Sequence, residues 1–449
     1  YTVSDKDFGL NFLTFRKSGS DGYFMALLSP KQEISSSEIL PKDIVFVLDT
    51  SGSMLEQGKL EQAKKALEFC VNSLSEKDRF NIISFATEPR NFKDELIAVT
   101  KENTEAAKAF VKDLVGRGGT NINDTLLNAL KMFAKSDRPG IVVFITDGEP
   151  TIGATTDPKA ILDNVKKANV AGIRIFDFGV GYEVNTHLLD KLAEQNNGTR
   201  DYITPEENIE VKVSNFYEKI ANPVLSEVSL VFEGITTTEM TPAKLPDLFK
   251  GSQLTILGRY KESGSKAVRL KGKVNGREKE YIYEVSFRET DEGSDYIPRL
   301  WAISRIGYLL DQIRLNGETA EVKDEVVKLA KEFGILTPYT SYLVVEDMNT
   351  RPDRGGRMPM PEAALRRQLQ GNVAREEMDK ERREAGAVSG EDAVKMSKKL
   401  EALKEPGKPG GEAMSQEKTV QKTLRDVVKQ LGDKTFYALE DGGWCDQEY

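Results

Sequence analysis

The stretch from residue 43 to residue 54, DIVFVLDTSGSM, constrains the fold of this chain more than any other. An unbroken apolar run that closes on an acidic residue is typical of a central strand buried on both faces of a parallel sheet. Such a strand delivers Asp49 to the carboxyl edge of the sheet, where open α/β sheets bind ligands. The following turn offers Ser51 and Ser53 at alternate positions, so one carboxylate and two hydroxyls can converge on a hard cation. We therefore predict a cation site at this edge.

Alternating strand and helix patterns continue from this strand to about residue 222. Residues 59–74 place apolar side chains on one helical face, and residues 141–146 form a second fully apolar run. Further helices are predicted at 102–115, 122–133, 185–195 and 208–220, and further strands at 79–85 and 173–180. Alternating βα units predict a doubly wound, mostly parallel sheet with helices on both faces.

The segments on either side of this α/β unit are rich in strand patterns. Runs at 8–16 and 23–28 flank the turn sequence SGSDG, which predicts a hairpin. Short strands follow beyond residue 223, at 224–232, 253–260, 265–274 and 279–287, with Asn275-Gly276 as the turn between the last two. Two strands alone are marginally stable, so we expect the early hairpin to complete an antiparallel β-sandwich with the later strands. The α/β unit is then an insertion within a β domain.

The C-terminal third of the chain changes from packed elements to a charged tail. Helices are predicted at 298–315 and 319–333, a strand at 341–346, a helix near 419–431 and a hairpin-like stretch at 435–444. Residues 351–418 are charged and poor in aromatic residues, which is typical of a tether. The predicted organisation is an N-terminal hairpin and linker at 1–42, an α/β domain at 43–222, a β-sandwich at 223–295, a helical pair plus strand at 296–350, a charged linker at 351–418 and a small helix and hairpin at 419–449.

Two further loops are predicted to reach the cation site. Asp147 follows the apolar run at 141–146, and Thr120 lies in a glycine-rich loop, RGGTN, immediately before a helix. Mg2+ prefers octahedral oxygen ligands and usually takes only one or two protein carboxylates. We therefore predict a site for Mg2+ (or Mn2+/Ca2+) whose ligands are Asp49, Ser51, Ser53, Thr120 and Asp147. The alternative is structural, because Ser-Gly-Ser and Asp-Gly are each common turns after a strand.

Composition excludes several other classes of protein. The formal net charge of -9 and the pI near 5.2 leave no basic excess with which to bind nucleic acid. With Cys70, Cys445 and one histidine, His187, the chain cannot assemble a multi-cysteine zinc site or a histidine-based catalytic triad. Cys70 lies on an apolar helix face and is predicted to be core, and His187 is predicted to be a surface or cap-adjacent residue. No apolar run approaches the ~20 residues that a membrane helix needs.

The same motifs carry a family resemblance. Residues 43–54, the run GGTN at 118–121 and TDG at 146–148 together resemble a von Willebrand factor type A domain, a Rossmann-like fold. The Asp-x-Ser-x-Ser pattern is similar to the metal-ion-dependent adhesion site of those domains. The flanking sequences DGYF at 21–24, LW at 300–301 and LTPYTS at 336–341 resemble the inter-alpha-trypsin inhibitor heavy chains and their bacterial relatives.

This resemblance implies adhesion-type binding in an extracytoplasmic location, whether secreted, periplasmic or at the cell surface. The animal heavy chains end in an Asp-Pro-His site used for ester linkage to a glycosaminoglycan. Nothing like that site occurs in this sequence, whose single histidine is His187, so attachment to hyaluronan is not supported.

The favoured hypothesis is a non-enzymatic binding protein, in which a partner's Asp or Glu carboxylate completes the coordination of the cation. The partner is then a protein or a matrix component. The alternative is a structural subunit of a larger extracytoplasmic assembly, in which the metal holds the edge loops together. An enzyme that uses the ion as a Lewis acid is a third hypothesis, but the sequence offers no visible general base.

Overall fold

The computed structural model describes most of the chain up to residue 340 and part of the C-terminal region. The residues described are 7–30, 41–134, 138–220, 223–274, 277–335, 337–340, 387–404, 428–431, 434–438 and 444–446. The predicted strand at 341–346 lies outside them.

The strands are numbered in chain order. They are β1 (Phe8–Phe15), β2 (Gly22–Pro30), β3 (Asp43–Asp49), β4 (Arg79–Phe85), β5 (Pro89–Asn91), β6 (Ile97–Ala98), β7 (Gly140–Thr146), β8 (Arg174–Val180), β9 (Arg200–Ile203), β10 (Pro223–Phe232), β11 (Thr237–Thr241), β12 (Leu248–Phe249), β13 (Leu254–Tyr260), β14 (Gly264–Val274), β15 (Arg277–Phe287), β16 (Val428–Leu431), β17 (Lys434–Ala438) and β18 (Trp444–Asp446).

The α-helices are numbered in the same way. They are α1 (Lys59–Asn72), α2 (Lys101–Lys112), α3 (Ile122–Lys131), α4 (Pro158–Ala168), α5 (Thr186–Gln195), α6 (Ile209–Ile220), α7 (Tyr296–Asn316), α8 (Ala320–Phe333) and α9 (Glu391–Lys404). A short 3-10 segment, Gly52–Gly58, precedes α1. None of the described helices is long and apolar enough to cross a membrane.

The centre of the α/β unit is a sheet with the order β5-β4-β3-β7-β8-β9. Strands β4, β3, β7, β8 and β9 run parallel, and β5 and β6 pair antiparallel with β4. Every residue of β3 is buried. Side chains of β3 alternate between two apolar clusters, because successive residues of a strand point to opposite faces. Phe46 packs with residues of α1, α2 and α6, whereas Val45 and Val47 pack with residues of α3, α4 and α5.

Two antiparallel sheets form the β-sandwich, with the orders β1-β2-β13-β11 and β12-β10-β14-β15. The early hairpin joins the later strands through β2 and β13, in a register that pairs Leu28 with Leu254. Phe24 and Phe287 from the two sheets meet in the core between them. Val274 pairs with Arg277 across a turn whose two residues lie outside the described ranges. The α/β unit enters the chain between β2 and β10, so the predicted fold class is confirmed.

Helices α7 and α8 cover the outer face of the first sandwich sheet. Trp301 is fully buried among residues of β2, α7 and α8, and its indole N–H donates to the Glu239 carbonyl oxygen at 2.9 Å. Gly334 ends α8 in the left-handed conformation, as its position after residue 333 predicts. Both helices lie where the sequence places them.

Helix α9 departs from the predicted tether at 351–418. It buries Val394 and Leu400 and packs against α7 and α5. Its apolar face is narrow, but Ser397 Oγ donates to Asp190 Oδ2 at 2.8 Å and Glu401 pairs with Arg200 at 3.1 Å. Contacts with residues about 200 positions away therefore fix a segment whose own composition favours a solvated chain.

The predicted helix at 419–431 is wrong in its final residues. Val428–Leu431 is strand β16, which pairs antiparallel with β17. Cross-strand pairing overrides local helix propensity here, as is common for short segments. The hairpin predicted at 435–444 is confirmed, because β17 pairs antiparallel with β18.

Candidate metal centre

Two adjacent parallel strands deliver the two predicted carboxylates to one edge of the sheet. Strand β3 ends at Asp49, and Asp147 directly follows β7. The strands are in register, with Leu48 opposite Ile145, so their ends lie side by side. Both carboxylates are completely buried. Because burying a charge is costly, such a pair needs a positive partner or a network of donors.

The residues of the Asp-x-Ser-x-Ser turn are joined to Asp147 by a chain of hydrogen bonds. Ser51 donates its backbone N–H to Asp49 Oδ1 at 2.7 Å. The hydroxyls of Ser51 and Ser53 are 3.2 Å apart, and Ser53 Oγ donates to Asp147 Oδ1 at 2.8 Å. The structure thus brings four of the predicted ligands into one connected cluster.

The fifth predicted ligand, Thr120, lies beside this cluster. Its backbone N–H donates to Thr151 Oγ1 at 2.8 Å, and Thr151 returns a backbone N–H to the Thr120 carbonyl oxygen at 3.0 Å. A Cβ built on Gly148 would lie 3.4 Å from Thr120 Oγ1, so this hydroxyl faces the turn that carries Asp147. Gly118 allows the loop to turn there, since its φ is +78° and a Cβ would collide with Thr87 Oγ1.

A carboxylate outside the predicted ligand set braces the same loops. Asp124 Oδ2 accepts the side-chain amide of Asn121 at 2.9 Å and the backbone N–H of Ala154 at 3.1 Å. Burial opposes ionisation, but these bonds and one from Asn123 hold the pKa of the Asp124 carboxyl below its usual value. Asp124 therefore ties the loop before α3 to the loop after β7.

Sequence reasoning missed two residues that contact the predicted ligands. Thr146 Oγ1 donates to Asp49 Oδ2 at 2.6 Å, and Lys59 Nζ donates to Asp147 Oδ2 at 2.9 Å. Thr146 belongs to the TDG run that carries the family resemblance but was not named as a site residue, and Lys59 was visible only as the first residue of a helix. Both contacts depend on how β3, β7 and α1 meet.

The electrostatics of the site are dominated by burial. Burial raises the pKa of the Asp49 carboxyl to about 6, and the nearby charge of Asp147 adds to the shift. Hydrogen bonds from Thr146 and Ser51 act in the opposite direction without cancelling it. An additional positive charge would therefore stabilise the ionised form of these carboxylates.

The donor set fits a hard divalent cation. Buried carboxylate and hydroxyl oxygens converge at this edge, and Lys59 already places one positive charge there. In the described part of the chain, no group of three or more histidine, cysteine, aspartate or glutamate residues is arranged to hold a metal. Two carboxylates with hydroxyls suit Mg2+ or Mn2+, which prefer oxygen and retain waters, better than they suit a zinc site built from nitrogen and sulfur.

Within the described ranges, neither His187 nor Cys70 makes a hydrogen bond to the predicted ligands, and the two residues lie on helices α5 and α1. His187 is half-buried on α5, two residues after the helix-capping residue Asn185, and burial together with Arg314 lowers the pKa of its imidazole. Cys70 is a buried free thiol among the apolar residues of α1, as predicted.

Fold and site together define an open α/β domain with an oxygen-rich carboxylate centre at the carboxyl edge of its sheet, inserted in a β-sandwich. Residues 42–202 match the family model described as von Willebrand factor type A domain. This part of the chain is a von Willebrand factor type A domain, as its motifs predicted.

Relatives with curated descriptions extend the likeness beyond that domain. The human inter-alpha-trypsin inhibitor heavy chain H4 is 29% identical over 353 residues, which cover 74% of this chain and 37% of the human protein. The rat heavy chain H3 is 30% identical over 362 residues, which cover 75% of this chain and 40% of the rat protein. The chain resembles these heavy chains over most of its length but spans well under half of theirs.

A solved structure shares the fold over a similar extent. The von Willebrand factor type A protein from Catenulispora acidiphila aligns with a TM-score of 0.53 and 16% sequence identity. The alignment covers 75% of this chain and 88% of that chain, so the likeness includes more than the central domain.

Proposed function

We propose that this chain is a metal-dependent binding module that engages a protein or matrix partner through the cluster at the edge of its parallel sheet. The observation that carries the proposal is the pair of fully buried carboxylates, Asp49 and Asp147, at an edge lined by hydroxyls. In the proposed site, Asp49, Ser51, Ser53, Thr120 and Asp147 hold Mg2+, Mn2+ or Ca2+, directly or through water.

A partner carboxylate is the natural completion of this site. The protein side chains supply only part of the octahedral oxygen shell that Mg2+ prefers. They lie at the carboxyl edge of the sheet, where open α/β sheets bind their ligands. An Asp or Glu side chain of the partner adds an anionic oxygen ligand of the kind that such a cation favours. The similarity to the heavy chains supports an extracytoplasmic location. The contact between the cation and a partner carboxylate is also compatible with a place in a larger complex.

The test is capture of a partner by the full chain with and without EDTA. The capture experiment exposes three immobilised proteins to extracellular material from the source organism: wild type, Asp49→Ala and the control Asp163→Ala. Binding of Mn2+ to the same three proteins is measured separately by calorimetry. Asp163 is an exposed residue of α4, so its loss leaves the cluster intact. We expect Asp49→Ala to abolish both Mn2+ binding and the EDTA-sensitive capture, and Asp163→Ala to retain both.

Two results would contradict this function. Capture that survives both EDTA and Asp49→Ala shows that the metal does not bridge the partner. If metal removal lowers the Tm but leaves partner affinity unchanged, the metal is structural and the chain is a subunit of an assembly rather than a metal-dependent binder.

A further inference from the structure

Lys59 occupies an unusual position for a cation. It is the first residue of α1, where the unpaired backbone N–H groups and the helix dipole disfavour positive charge. Its Nζ nevertheless donates to Asp147 Oδ2 at 2.9 Å, and the side chain is only 12% exposed. The contact with the buried carboxylate therefore has to offset both the helix terminus and the burial of the ammonium group.

We infer that the Lys59 ammonium competes with the divalent cation for Asp147. When no metal is bound, the ammonium neutralises this carboxylate. Because it holds the same carboxylate, it also weakens metal binding. Among the residues that the structure describes, Lys59 is the one cation paired with either Asp49 or Asp147. The inference rests on the proposed function, since it concerns the regulation of that site.

Repulsion between like charges opposes simultaneous binding of the two cations. The two carboxylates and the ammonium together keep one net negative charge, but a divalent ion at the same oxygens would place its charge next to the ammonium inside the protein. Asp147 Oδ1 accepts the Ser53 hydroxyl and Oδ2 accepts the ammonium, so a metal bound at either oxygen would share this carboxylate with Lys59.

The loop after β8 lies beside the lysine. Gly181 has a φ of +77°, and a Cβ placed on it would be in ordinary van der Waals contact with Lys59 Nζ, at 3.7 Å. Lys59 thus stabilises the metal-free loops and sets the cation concentration at which the site fills.

The experiment compares Mn2+ affinity, by isothermal calorimetry on the full chain, for wild type, Lys59→Met and Lys65→Met. Lys65 is exposed on the same helix, so its variant matches the change in net charge without touching the cluster. Lys59→Met should bind Mn2+ at least roughly tenfold more tightly, because a like charge a few ångströms away is removed. Lys65→Met should match wild type.

Equal or weaker Mn2+ binding by Lys59→Met overturns the inference while leaving the metal site itself in place. Absence of Mn2+ binding in both wild type and Lys59→Met overturns the proposed function and the inference together. A thermal measurement provides a second criterion, since Mn2+ should raise the Tm of Lys59→Met more than that of wild type. If Lys59→Met does not fold, Lys59→Gln replaces it with the same expected and refuting results.

Discussion

Replacing Arg314 with Met should strongly destabilise the protein, because this guanidinium is buried between two carboxylates from different parts of the fold. Arg314, near the end of α7, pairs with Asp190 of α5 and, at 3.1 Å, with Asp311. The Arg314 side chain is 2% exposed, and those of Asp190 and Asp311 are 0% and 5% exposed. Methionine nearly matches the length of the arginine stem but leaves the carboxylates without this positive partner.

The expected loss is about 3–5 kcal/mol in the free energy of unfolding, the cost of breaking a buried pair by removal of one partner. Arg305→Met on the same helix is the matched control. Arg305 pairs with Glu325 at 2.7 Å, but these side chains are 23% and 35% exposed. Water screens such a pair, so its loss should cost less than about 1 kcal/mol.

Urea unfolding, followed by circular dichroism, measures both variants against wild type. Asp190 also pairs with Arg200 at 2.6 Å, so Asp190→Asn should be destabilising in both backgrounds, but less so in Arg314→Met, where its pair with Arg314 is already lost. A loss for Arg314→Met no larger than that for Arg305→Met would refute the reasoning. It would mean that water reaches the cluster or that neighbouring cations such as Lys404, which pairs with Asp311, take over the role.

Two further substitutions test other contacts. Asp124→Asn should lower the Tm at pH 7, by the equivalent of about 1–3 kcal/mol, because charged hydrogen bonds to Asn121 and Ala154 are weakened. The pKa of Asp124 is lower in the folded than in the unfolded protein, so ionised Asp124 stabilises the fold above the unfolded pKa, and this stabilisation is lost as the pH falls through the folded pKa. A Tm difference between wild type and Asp124→Asn that is unchanged down to pH 3 would be inconsistent with this. Gly307→Ala should loosen α9, because the new Cβ would lie 2.8 Å from Leu403 Cβ, although alanine normally favours a helix. Faster tryptic cleavage within α9 is the expected readout, and unchanged cleavage would contradict it.

Much of the fold follows from local patterns in the sequence. The fully apolar runs that became β3 and β7 can be buried only as central strands, and their acidic ends place Asp49 and Asp147 at one edge. The helices between them have apolar faces with the period of an α-helix, and the sequence Asn275-Gly276 predicts the hairpin that pairs β14 with β15. The hairpin at the start of the chain was assigned to the later sandwich because a lone hairpin is unstable. That prediction is confirmed by the pairing of β2 with β13.

The part of the site within one turn was also predictable, since the turn after β3 brings the backbone N–H of Ser51 to Asp49. The contact of Ser53 with Asp147 depends on the pairing of β3 with β7. The contacts of Thr146 and Lys59 were not predictable, because they depend on the packing of β7 and α1 against β3. No spacing in the sequence reports such contacts between separate elements. The identity of the cation and its ligands remains a prediction.

Helix α9 shows the same limit on a larger scale. By itself the sequence determined most of the element types, the insertion of a von Willebrand factor type A domain in a β-sandwich, and the position of the Asp-x-Ser-x-Ser turn after β3. Only the tertiary structure decided that residues 391–404 pack against α5 and α7, and that Asp190, Arg314 and Ser397 meet in one buried cluster. Local patterns report periodicity and turn chemistry over a few residues. Charge pairing between distant residues becomes favourable only once burial removes the competing water.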